Sequence, residues 1–204
     1  MGRFKFYALK LSGFIIIVFL FQLFIPVFTE MFLLNDESLS QFWRFLTAIF
    51  LHGDLAHLFY NLLALALFGS MLEFLIGGRK FLVVFFVSGI LANIIAVNFY
   101  PSSLGASGAI FGIIGALIVI KPWQVVWAFG LPMPIIIAGV LWAAGDVLGI
   151  FFPSNVGNIA HLSGMFFGLV LGTLVRRRTR GVRREKVKVD EKIVRDWEKN
   201  YLGR

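Results

Sequence analysis

Ser107 sits between glycines in "GASGAIFG", residues 105–112, where a long apolar run begins. A serine hydroxyl becomes a nucleophile when a base takes its proton, and histidine is the usual base. The chain has three histidines, His52, His57 and His161. Asn61 follows His57 by four residues, so on a helix the two share a face. His161 opens another apolar run, in "NIAHLSGMFFG". At the first turn of a helix, Ser107 would also stand beside free backbone N–H groups and the positive dipole end, which favour an anion. These residue types allow acyl transfer: Ser107 as nucleophile, a histidine as base, and free backbone N–H groups with His57 and Asn61 as oxyanion donors. Two carboxylates lie in apolar runs. Glu73 is near the inner end of its run and Asp146 lies in another. Neither is expected to orient the histidine, so a Ser–His dyad fits better than a triad. Asp146 is expected to face the cavity or a hydrogen-bonding partner, and Glu73 to hold a helix–loop contact. Phe111, one turn below Ser107, either packs under an imidazole ring or is ordinary core.

The elements that must position these residues are membrane spans. The chain has 204 residues, 59% of them hydrophobic, including 24 phenylalanines. That exceeds the usual apolar share, and the excess falls in long uncharged runs. Six spans are predicted, at about 8–28, 57–75, 81–99, 107–120, 134–152 and 159–175. Pro101 and Gly105 end the third, Lys121 and Pro122 the fourth, Pro153 the fifth and Arg176 the sixth. The first run is too long for a signal-peptide core and lacks an A-x-A site, so it is read as a span.

Charge gives the topology. With both termini in the cytoplasm, 18 of the 19 Lys and Arg residues fall inside, and only Arg44 falls outside. Twelve of them follow Val175. A basic run directly after a span is a topology signal with affinity for anionic lipid, so nucleic acid is not expected as a partner. The chain divides into a membrane domain, 1–175, and a basic cytoplasmic tail, 176–204. Within the tail, "EKVKVDEKIVRDWEK" reads as a surface helix with Trp197 toward lipid, or as a solvated tail.

The fourth span is short. Fourteen helical residues cover about 21 Å, against a hydrocarbon core of about 30 Å. If its inner end sits at Lys121, Ser107 lies roughly 10 Å below the outer surface. The loop at 101–106 must then dip into the membrane, which is tolerated only beside protein or a water-filled cavity. Ser107, His57, Asn61 and His161 thus come to one depth from three helices. Gly108-xxx-Gly112, Gly164-xxx-Gly168 and Gly168-xxx-Gly172 form stripes that let two helix backbones approach closely. A short serine side chain needs that approach to reach a histidine on another helix. Trp43 and Arg44 read as interfacial anchors of the outer loop. With no cysteine, no P-loop and no H-E-x-x-H, neither a cofactor nor a metal is expected.

Over about 40–172 the chain resembles the rhomboid family of intramembrane serine proteases. "GASG", with Gly105 and Gly108, is similar to the family's nucleophile motif, which implies Ser107. "AHLSGMFFG", with Gly164 and Gly168, is similar to its histidine motif, which implies His161 as base. "HGDLAHLFYNLL" is similar to its H-x4-H-x3-N motif, which implies His57 and Asn61 as oxyanion donors and His52 as a structural residue. "FWRFLTAIFLHGD" carries the Trp43-Arg44 pair typical of the first outer loop. Where this chain has Phe111, some members carry a tyrosine; the ring can still stack, and little loss of activity is expected. The resemblance implies an all-α, six-transmembrane-helix rhomboid-like bundle. It implies cleavage of single-pass transmembrane substrates near the outer boundary, with small residues at the cut. It also implies sideways substrate entry, with the fifth span moving. A prokaryotic plasma membrane is the expected location. The rival readings are a small transporter, which would favour internal repeats that are not visible here, and a non-catalytic membrane chaperone of the same fold.

Overall fold

The computed structural model describes residues 5–152, 156–179 and 191–203. Pro153, expected to stop the fifth span, lies outside these residues, as do Arg3 and much of the basic tail. The fold is mostly helical. Helix α1 (Tyr7–Phe24) starts against Glu73, whose fully buried carboxylate accepts the backbone N–H of Lys5 at 3.0 Å and of Ala8 at 3.1 Å. The first N–H groups of a helix lack intrahelical partners, and a carboxylate there also favours the dipole.

The outer loop that follows holds α2 (Phe28–Phe32), β1 (Leu34–Asn35) and α3 (Arg44–Thr47). Buried Arg44 ties it together. Its Nη1 donates to the carbonyls of Glu30 and Leu33, at 2.7 and 2.9 Å, and its Nε to Gln41. Nη2 meets Glu37 at 3.1 Å. Trp43 beside it is half exposed.

Next come α4 (Leu55–Ala64), a π turn (Leu65–Gly69) and α5 (Ser70–Ile76), which run on as one apolar helix of 22 residues. Asp54 caps it by accepting the His57 N–H at 2.8 Å. Helix α6 (Gly78–Ala96) leads to β2 (Ser102–Ser103), which pairs antiparallel with β1. Helix α7 (Ser107–Ile120) begins at Ser107 and is enclosed by α6, α8 (Ile135–Gly149) and α9 (Asn158–Thr179). A last helix, α10 (Glu191–Tyr201), is exposed throughout, with Trp197 stacked on Tyr201.

Among the described residues, four helical stretches are long and apolar enough to cross a membrane: Tyr7–Phe24, Leu55–Ile76, Gly78–Ala96 and Asn158–Arg176. Helices α7 and α8 are apolar but shorter. An element absent from the sequence reading is the hairpin of β3 (Val125–Ala128) and β4 (Leu131–Pro134). Its two-residue turn, Phe129-Gly130, has positive φ at both positions. That geometry matches the twist of a tight hairpin but normally uses Asn-Gly.

Glycines set the centre of the bundle. A Cβ on Gly164 would strike the Gly108 carbonyl, and one on Gly168 would strike the Gly112 carbonyl. A Cβ on Gly115 would strike the Met165 carbonyl. Helices α7 and α9 therefore touch backbone to backbone, as small-residue stripes permit.

Candidate active site

A cavity of about 1140 Å³ opens at the start of α7, lined by Ser107, His57, Asn61, Phe111 and His161 among others. Ser107 reaches it from the first turn of α7. That helix has no side-chain cap, so the dipole end and the early N–H groups stand beside the hydroxyl. The preceding loop is held by Gly105 N–H donating to the Ala48 carbonyl at 2.9 Å. Gly105 has φ +128°, and a Cβ there would come within 2.8 Å of His57 Nε2. Only glycine suits both the backbone and the approach.

The two residues from α4 present donors. His57 Nδ1 faces the Gly53 N–H at 3.4 Å, which leaves Nε2 to carry the ring proton toward Gly105 and Ser107. Asn61 is buried and donates one amide N–H to the His57 carbonyl at 2.9 Å. Its second N–H is available, while its Oδ1 is buried without a partner among the described residues.

His52 lies outside the cavity lining, in the loop before α4, with its ring edge-on to His57 at 4.9 Å between centroids. Burial lowers its pKa from 6.5 to about 4, and the neighbouring His57 acts in the same direction. The Phe50 carbonyl and Asp54 pull it partly back up. His52 is therefore neutral at ordinary pH, with its ring packed against that of His57. Its backbone is clamped by Gln22 of α1, which accepts the His52 N–H at 3.0 Å and donates to its carbonyl at 3.1 Å. No spacing rule links residues 22 and 52, so this clamp has no local sequence signal.

His161 enters from the first turn of α9. Its ring lies flat on Phe111, with centroids 4.3 Å apart and planes 6° apart. Of the two placements open to Phe111, the structure has the one under the imidazole. The first turn of α9 is tied to the rest of the fold by Tyr100, whose hydroxyl accepts the Ile159 N–H at 3.0 Å. No hydrogen bond joins His161 to Ser107 among the described residues. Such bonds are often long before substrate binds.

One expectation needs correction. A carboxylate is placed to orient the histidine: Asp146 Oδ1 lies 3.0 Å from His161 Nδ1. The reason is helix phase. Asp146 falls on the same inward face of α8 as Ile135, Ala138 and Gly139, and the end of that helix stands against the start of α9. Position along the span alone could not show which way the side chain turns. Glu73, by contrast, lies remote from the cavity at the start of α1.

The hairpin contributes too. Trp127, Ala128 and Phe129 line the same cavity, with Phe129 against Trp142 of α8 at 5.5 Å between centroids. No group of three or more metal-ligating side chains occurs among the described residues.

Fold and site together define a class: an apolar helical bundle with a serine at a helix start and histidines and an amide around it, in one cavity. Residues 39–178 match the family description "Rhomboid domain". The chain belongs to the rhomboid family. It is 36% identical over 133 residues to Rhomboid protease GluP of Bacillus subtilis, covering 63% of this chain and 25% of that protein. It is 34% identical over 138 residues to the Putative rhomboid protease YdcA of the same organism, 66% of this chain and 68% of that one. Rhomboid-type serine protease 2 of Emericella nidulans is 30% identical over 156 residues, 74% of this chain and 30% of that protein. The chain thus spans from about a quarter to two thirds of these relatives' lengths.

Proposed function

We propose that this chain is an intramembrane serine endopeptidase working through a Ser107–His161 dyad. The observation that carries the reading is the convergence of Ser107, His57, Asn61 and His161 on one cavity inside an apolar bundle. The rivals do not explain why a serine stands uncapped at a helix start beside a stacked histidine. Family membership and relatives named as serine proteases agree with it.

In the reaction, His161 Nε2 takes the Ser107 hydroxyl proton as Oγ attacks the scissile carbonyl. The carbonyl electrons move to oxygen, and the Ser107 N–H, His57 Nε2–H and Asn61 amide donate to that oxyanion. Collapse expels the amine, which receives the proton from His161 and leaves an acyl-enzyme. Water then attacks the ester with His161 again as base, restoring Ser107 and releasing the acid. The water comes through the outer mouth of the cavity, since lipid cannot supply it.

The proposal includes six spans with both termini in the cytoplasm, and single-pass membrane proteins as substrates. The six apolar helices and the placement of 18 of 19 basic residues support that topology. Residues 1–175 then form the membrane domain and 176–204 a cytoplasmic tail near anionic lipid. Substrates are cut near the outer boundary of a prokaryotic plasma membrane, with α8 as the moving wall.

The test is cleavage of a model single-pass substrate by purified protein in detergent. Wild type should cut, while Ser107→Ala and His161→Ala should be folded and inactive. Cleavage by Ser107→Ala, or none by wild type on several substrates, refutes the reading.

A further inference from the structure

We propose that Asp146, on α8, is a positioning residue for His161, holding the imidazole so that its Nε2 lone pair faces Ser107. The proposal rests on the reading of His161 as the base. The stack on Phe111 fixes the plane of the ring but not its direction. A half-turn about the Cβ–Cγ bond keeps the plane and the stack, yet exchanges Nδ1 with a carbon. Asp146 removes that ambiguity, because its Oδ1 meets Nδ1 at 3.0 Å. A carboxylate only accepts, so Nδ1 carries the proton and Nε2 is left bare.

Two further observations point the same way. The Asp146 and His161 side chains are 8% and 13% exposed, so little water competes for the contact. Asp146 Oδ2 is buried and has no partner among the described residues. Of its two oxygens, the one with a partner is turned to the base, so the carboxylate is not the hub of a wider helix-joining network. When His161 gains the serine proton, the contact becomes an ion pair between imidazolium and carboxylate. It then strengthens in the transition state more than in the ground state, as a contribution to rate requires.

The test uses the full chain in detergent micelles, as wild type and as Asp146→Asn, Asp146→Leu and Asp146→Glu. Histidine 15N NMR reads the tautomer, with His161 assigned from the signal lost in His161→Gln. Wild type should show His161 protonated at Nδ1, and Asp146→Leu should lose that preference. With a cleavable substrate, Asp146→Leu should lower kcat on the order of 10²-fold with KM within about twofold. Asp146→Asn keeps an acceptor without the charge and should fall between, and Asp146→Glu should recover part of the loss. Wild-type His161 protonated at Nε2 would overturn the proposal. So would an Asp146→Leu variant with unchanged kcat, whether its KM rises or not, because a tie between helices alone would give that result. The NMR arm needs no turnover. If wild type and Ser107→Ala both fail to cut, the protease reading falls while the tautomer still decides the role of Asp146.

Discussion

Gly164→Ala adds one methyl group where α9 crosses α7. The new Cβ would strike the Gly108 carbonyl oxygen and lie 2.8 Å from its carbon and 3.2 Å from the Gly108 Cα. Comfortable carbon contacts are about 3.5–4.0 Å. Backbone cannot swing aside as a side chain can, so the helices must part by roughly an ångström. Overpacking of this kind costs about 1–3 kcal/mol. The kinetic effect should be larger. Gly108 adjoins Ser107 and Gly164 lies one turn beyond His161, so the shift separates nucleophile from base, and misplacement by about 1 Å costs on the order of 10²-fold. Gly13→Ala in α1 is the control, since nothing lies within 4 Å of its added Cβ. It should gain about 0.5–1 kcal/mol of stability and leave cleavage unchanged. The assay pairs cleavage of a transmembrane peptide with denaturant unfolding in micelles. If Gly164→Ala unfolds with wild type and cuts within twofold of it, the backbone contact does not set the site geometry.

Three more outcomes are expected. Asn61→Ala should lower kcat by about 10²–10³-fold with little change in KM, the usual loss for one oxyanion donor; a change confined to KM would contradict that role. Glu73→Ala removes the acceptor for the N–H groups of Lys5 and Ala8 and should cost about 1–3 kcal/mol by unfolding, with kcat of the folded fraction unchanged. His52 has a folded pKa of about 4 against 6.5, so the unfolded chain binds its proton first as pH falls. Its contribution is complete above pH 6.5 and is lost on descending toward pH 4, by about 3 kcal/mol in all. His52→Phe should flatten that part of the stability–pH curve, and an unchanged slope would count against the burial argument.

What the sequence made legible follows from local rules. A glycine-rich loop and a Lys-Pro pair bound the fourth apolar run at about 107 and 120, and α7 has those bounds. Helical spacing pairs His57 with Asn61, and both line the cavity with Ser107 and His161. Long-range side-chain geometry was not legible. Gln22 meets His52 across thirty residues, and Tyr100 meets Ile159 across fifty-nine. Asp146 was visible as a carboxylate in a span, but its contact depends on how α8 is rotated against α9. The hairpin hid because Phe129-Gly130 lacks the Asn-Gly signal and lies in a nearly continuous apolar stretch.

These contacts divide the site into two halves of different stiffness. The outer-loop half is fastened many times. Arg44 holds two carbonyls, Thr47 donates to Phe32, Asn93 donates to Phe45, and Gln22 clamps His52. His57 and Asn61 follow this loop directly, and Ser107 follows Gly105, whose N–H donates to Ala48; on the proposed reading these supply the oxyanion donors, which must be fixed before charge develops if they are to lower the barrier. Helix α8 is held more lightly. Val140, Leu141, Val147 and Leu148 are exposed, while its buried face is mostly small residues with Asp146 near its end. If α8 moves aside to admit a substrate helix, Asp146 withdraws from His161. The base then lacks its orienting partner while the site is open and regains it as the wall returns. On this account, opening and catalysis are opposed states of one helix, joined by a single 3.0 Å contact.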